Sequence, residues 1–194
     1  MCVKTYKYDK CVFTYMSWSE VYSFTKDGYA NFYGEVQNAN RGCMAVWQIL
    51  EKKYLPSLPI PSYWGSIGGG NYYSRTYVVD NRGLMKQIWN LANEDRPLTE
   101  EERIVLITTF DKVLVKKEML PSVIHAYENF NGDTNLKEVA EILKKALNDS
   151  EIIAIGFSIS LTDGWTNWGN EENEEGDRPY NIFKQNDHWF LGEE

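Results

Sequence analysis

Few residues in this sequence have the types and spacing to do chemistry. Its two histidines, His125 and His188, are candidate proton carriers, because imidazole titrates near neutral pH. Asp163 and Ser158 are the carboxylate and hydroxyl that could join one of them in hydrolysis or group transfer. Ser158 sits in Gly156-Phe157-Ser158-Ile159-Ser160, which follows the GxSxG nucleophile elbow until Ser160 replaces the second glycine. No spacing forces two of these groups together. His125, next to Ile124 and two residues before Tyr127, and His188, between Asp187 and Trp189, are therefore expected to be structural, and no catalytic residue is assigned. Neither histidine belongs to an HExxH or HxH pattern, and Cys2, Cys11 and Cys43 form no CxxC pair, so no metal site and no cofactor are expected.

The second feature is a recognition surface. Between Ser62 and Tyr77 the chain places Tyr63, Trp64, Tyr72, Tyr73 and Arg75 around Gly68-Gly69-Gly70. Flat rings offer stacking surfaces and a guanidinium pairs with phosphate or carboxylate, a set suited to a protein partner, a nucleotide or a sugar. The glycines do not make a phosphate loop, because no GK[ST] follows at the P-loop offset. They do not make a dinucleotide fingerprint either, since Tyr73 stands where GxGxxG needs its third glycine.

The third feature is charge. The formal net charge is -8, and residues 151–194 carry all of the imbalance. Glu171, Glu172, Glu174, Glu175 and Asp177 are concentrated in NEENEEGD, with Trp165 and Trp168 just before them. The acids miss the DxDxDG positions of a calcium loop. A negative, ring-bearing segment repels nucleic-acid phosphates and attracts a basic, partly apolar protein surface.

The elements that must position these groups can be read from periodicity. Aromatic and β-branched residues around CVFTYMSW and GYANFYGEV, with a turn at Asp27-Gly28, predict strands near the N-terminus. Cys43, Val46, Trp47, Leu50 and Tyr54 recur at helical intervals until Pro56, Pro59 and Pro61 end the helix near Leu55. A long loop over about 56–76 is expected next. Helices then follow in NRGLMKQIWNLAN, in EEERIVLITTF behind the capping box Thr99–Glu102, after Pro121, and in LKEVAEILKKALND. IIAIGFSISL is a short apolar, β-branched run of strand length that predicts a central strand, and HWFL predicts a last short strand. An acidic loop spans about 163–180.

The fold expected is one α+β domain over residues 1–194, with short antiparallel strands from both chain ends packed against a mainly helical middle. A length of 194 residues, 43% hydrophobic, suffices for one core. No signal peptide or membrane span is evident, and three unpaired-looking cysteines fit a reducing, cytoplasmic setting.

The expected function is that of a non-catalytic acidic binding or inhibitor protein. It would engage a protein partner with a basic surface, without direct nucleic-acid or membrane contact. By class-level analogy it is similar to phage-type accessory or anti-defence proteins. The alternatives are a nucleotide- or sugar-binding protein built on Tyr63, Trp64, Tyr72, Tyr73 and Arg75, and a hydrolase or transferase with a nonstandard site.

Overall fold

A computed structural model describes residues 18–37, 43–55, 84–94, 97–110, 112–132, 134–160, 168–169 and 179–193. Its elements in chain order are β1 (Trp18–Thr25), β2 (Ala30–Gln37), α1 (Cys43–Tyr54), α2 (Leu84–Asn93), α3 (Glu100–Ile107), β3 (Val113–Lys116), a 3₁₀ turn (Lys117–Met119), α4 (Leu120–Asn129), α5 (Leu136–Leu147), β4 (Ile152–Ser160) and β5 (Trp189–Phe190). This is an α+β fold around a five-stranded sheet of order β2-β1-β4-β3-β5. Every pairing is antiparallel except β3 with β5, which is parallel.

Local chemistry accounts for most boundaries. The β1–β2 turn forms where Gly28 takes a φ of 80°, and Asp27 Oδ1 accepts from both Thr25 Oγ1 and the Tyr29 amide. Thr99 caps α3 by accepting from the Glu102 amide at 3.2 Å, while the Glu102 carboxylate accepts from the Thr99 amide at 3.1 Å. The same carboxylate pairs with Lys53 at 2.6 Å and accepts from the Tyr54 hydroxyl, joining α1 to α3. Burial pushes the Glu102 carboxyl up, but these donors outweigh it and hold it below the ordinary range. Pro121 occupies the first turn of α4, where its missing amide hydrogen costs nothing.

The strand β3 is the departure from expectation, and it comes from the middle of the chain. IVLITTFDKVLVKK is one apolar run, and its break lies at Lys112, a non-glycine residue with a φ of 59°. That left-handed residue ends the turn after α3 and starts Val113-Leu114-Val115, all three buried. CVFTYMSW overlaps the described strands only at Trp18; the first observed strand is WSEVYSFT. Residues 56–76 lie outside the described residues.

The sheet is covered on both faces. On the first, α5 lies against β1 and β2, α4 packs beside α5, α3 beside α4, and α1 and α2 contact α3. Val21, Val113, Val115, Ile155 and Phe157 meet Val46, Trp47, Leu50, Val105, Leu106, Val123, Tyr127, Val139 and Leu143 in the larger core. Two buried hydrogen-bond pairs tie the helices of this layer. Trp47 Nε1 donates to Thr109 Oγ1 at 2.7 Å, and the Tyr127 hydroxyl donates to Thr108 Oγ1 at 2.9 Å. On the second face Tyr22, Phe24, Ala30, Leu114 and Ala154 are covered by Trp168, Tyr180 and Ile182 from the C-terminal part of the chain. Burial on both faces explains why IIAIGFSIS does not alternate.

Bulges keep each face continuous. Tyr22 pairs with Phe32 and Val21 with Gly34, so Tyr33 is the extra residue on β2. No helix among the described residues is long and apolar enough to cross a membrane.

Candidate functional site

A cluster that brings together a histidine, a carboxylate, a phenol and an ammonium lies on the second face, around Tyr180. Its ring is fully buried and meets Trp168 edge-on at 4.8 Å and Phe24 at 6.5 Å. Three backbone hydrogen bonds fix its segment. The Ala30 amide donates to Tyr180 O at 2.8 Å, the Ile182 amide to Gly28 O at 2.9 Å, and the Tyr180 amide to Trp168 O at 2.9 Å. Asn181 adds a side-chain bond to Asp27 O at 3.0 Å.

Trp168 is held from the sheet side. Its indole donates to Phe157 O at 2.9 Å and sits against Gly156, where an added Cβ would stand 2.9 Å from the ring. Trp168, one of the two rings that precede the acidic run, is fully buried, because glycine at 156 leaves room for a large ring against the sheet.

The Tyr180 hydroxyl reaches two groups from the final segment, Asp187 Oδ1 at 2.5 Å and His188 Nδ1 at 2.9 Å. Lys112 closes the cluster. Its ammonium is 3.5 Å from Asp187 Oδ2, 4.3 Å from the centre of the Tyr180 ring and 5.4 Å from that of Trp168. Burial pushes the Asp187 carboxyl up, but the Tyr180 hydroxyl and Lys112 more than offset this and hold it below the ordinary carboxylate range. His188 is pushed below the usual histidine value, first by burial and then by Lys112, against the opposing pull of Asp187 and Glu193.

One proton decides the tautomer. A carboxylate only accepts, so the single proton of the Tyr180 hydroxyl goes to Asp187. His188 must then donate from Nδ1 to the phenolic oxygen, and its Nε2 carries the lone pair.

His125 lies elsewhere. It is exposed on α4 in an open cleft of about 390 Å³ lined also by Glu100, Glu101, Ile104, Pro121 and Ser122. Because α4 packs in the helical layer and His188 stands over the second face, the sheet separates the two histidines. Asn129 Nδ2 donates to His125 O at 2.8 Å and lies 3.2 Å from Nδ1. Among the described residues, no hydroxyl other than that of Tyr180 meets an imidazole.

Ser158 lies within β4, its backbone in register with Glu20 of β1, and not at a strand-to-helix turn. No group of three or more His, Cys, Asp or Glu able to hold a metal ion occurs among the described residues. Tyr63, Trp64, Tyr72, Tyr73, Arg75, Asp163, Trp165, Glu171, Glu172, Glu174 and Glu175 all lie outside them.

Sequence reasoning singled out His188 but missed Tyr180 and Lys112. The Asp187–His188 adjacency was the available signal, together with the two-residue spacing of His188 and Phe190, whose rings meet edge-on at 5.5 Å. Nothing local marks Lys112, which reaches the cluster only through β3. No family model, curated protein or solved structure matches this chain at a significant level.

Proposed function

We propose that this is a non-catalytic binding protein whose residues 169–179 engage a basic surface of a protein partner. That stretch contains Glu171, Glu172, Glu174, Glu175 and Asp177 against the single base Arg178. One observation carries the reading: the Tyr180 amide donates to Trp168 O at 2.9 Å while both rings are fully buried. The described residues on either side of the acidic stretch, Trp168 and Tyr180, are therefore held together at one fixed point on the sheet. Closing a loop at a rigid neck removes part of the ordering cost of binding, and clustered like charges steer an oppositely charged partner. Occupying a basic functional surface in this way would inhibit the partner.

The test is capture from a host lysate by immobilised wild-type protein and by a variant with Glu171, Glu172, Glu174 and Glu175 all changed to Gln. Capture is run at about 0.05 M and about 0.5 M salt, which shortens the screening length several-fold. A protein retained by the wild type at low salt, and lost both with the variant and at high salt, is the expected result. Equal retention by both forms would refute the steering role, provided their melting temperatures agree.

A further inference from the structure

We infer that the Lys112–Asp187–Tyr180–His188 cluster is an acid-sensitive clasp that holds the Trp168–Tyr180 junction, which flanks residues 169–179, on the sheet. The inference rests on the proposed role of those residues, but its test needs no partner. Three observations support it.

First, Tyr180 belongs to both halves of the device. Its backbone closes the neck through Trp168 O and Ala30, and its hydroxyl is the hub between Asp187 and His188. Whatever weakens the hydroxyl's partners acts on the closing bonds through a single side chain.

Second, the hydrogen-bond chain is complete with His188 neutral: each donor in the chain His188 Nδ1, Tyr180 O, Asp187 has one acceptor, and Lys112 already stands 3.5 Å from Asp187 Oδ2. A proton added at His188 Nε2 places a second cation beside Lys112. Among the described residues, the titratable and charged groups acting on His188 are Tyr180, Asp187, Lys112 and Glu193. Glu193 is itself paired with Lys116 of β3, so its charge is largely offset.

Third, Lys112 sits in a left-handed backbone conformation that disfavours side-chain-bearing residues, yet it is held there with its carbonyl accepting from the Trp189 amide at 3.1 Å. The clasp thus ties the turn before β3 to the segment carrying His188.

The direction follows from linkage. The closed clasp keeps His188 below its ordinary value of about 6.5, so an open clasp binds the proton better. Stability of the closed form is complete above about pH 6.5 and declines as pH falls from there through the depressed folded value. One pH unit below the ordinary value, opening is favoured by up to about tenfold, the limit set by an open state that titrates normally and a closed state that stays neutral.

Hydrogen exchange of the free protein measures this. Opening constants of the Ala30, Tyr180 and Ile182 amides are compared at pH 7.5 and 5.5 in wild type and in His188→Asn, whose amide can donate in place of Nδ1 but cannot titrate. A rise of about three- to tenfold at the lower pH is expected in wild type, with less than twofold in the variant. An unchanged wild type, or an equal rise in His188→Asn, would overturn the clasp. Nitrogen-15 spectra of labelled histidine give an independent check: His188 protonated on Nδ1 is expected, and a proton on Nε2 alone at pH 7.5 would overturn the relay. Because exchange and tautomer are read without a partner, either can fail while lysate capture succeeds, and the reverse also holds.

Discussion

Replacing Gly156 with alanine probes how tightly the second face is closed over the sheet. A Cβ at that position would stand 2.9 Å from both Cε2 and Nε1 of Trp168 and 3.1 Å from Cδ2 of Leu114. Neither neighbour can move freely. The indole is fixed by its hydrogen bond to Phe157 O and by edge contacts with Phe24 at 5.4 Å and Tyr180 at 4.8 Å, and Leu114 is fully buried in β3. Overpacking of a closed core costs about 1–3 kcal/mol, and loosening one aromatic pair adds about 0.5–1.5 kcal/mol. A total near 2–3 kcal/mol corresponds to a fall in Tm of roughly 5–10 °C for a chain of this length. Thermal and urea unfolding followed by circular dichroism measure it, with the near-ultraviolet bands reporting tryptophan packing.

Gly34→Ala is the matched control. Its Cβ would approach Ile142 to 3.2 Å, but Ile142 is a partly buried aliphatic chain on α5 that can rotate away, so a loss of about 1 kcal/mol or less is expected. Equal melting temperatures for the two variants, or Gly156→Ala within about 1 °C of wild type, would refute the idea that Trp168 is locked against the sheet.

Two further outcomes follow from single hydrogen bonds. Thr99→Ala removes the capping acceptor for the Glu102 amide and should lower stability by about 1 kcal/mol in urea unfolding, whereas Thr99→Ser should recover most of it. Tyr127→Phe should cost about 1 kcal/mol, since Thr108 keeps its own bond to Val105 O at 2.8 Å. Burial also raises the Tyr127 phenol above its ordinary value, so ultraviolet titration should find one tyrosine fewer resisting ionisation in that variant before alkaline unfolding.

The helical layer was legible because its signals are local. Val123, Ile124, Tyr127 and Phe130 recur at helical spacing and are all buried, and Thr99 and Glu102 make both halves of the capping box that their separation predicts. The central strand was legible for a different reason: an unbroken apolar run of strand length has to be covered on both sides, and β4 is. By contrast, β3 was hidden. Four residues do not establish a period, and the preceding apolar run continues the α3 pattern until a left-handed Lys112 redirects the chain.

The clustered site divides along the same line. The sequence alone set part of its ingredients: the adjacent Asp187 and His188, and Trp168 just before the acidic run. Only the tertiary structure decided that Tyr180 would stand between Asp187 and His188, that Lys112 would stand over the Tyr180 ring, and that Trp168 would enter the core. The physical reason is range. Capping and amphipathic periodicity act within a few residues, whereas a hydrogen bond to a buried hydroxyl or an ammonium over a ring depends on strands paired across distant parts of the chain.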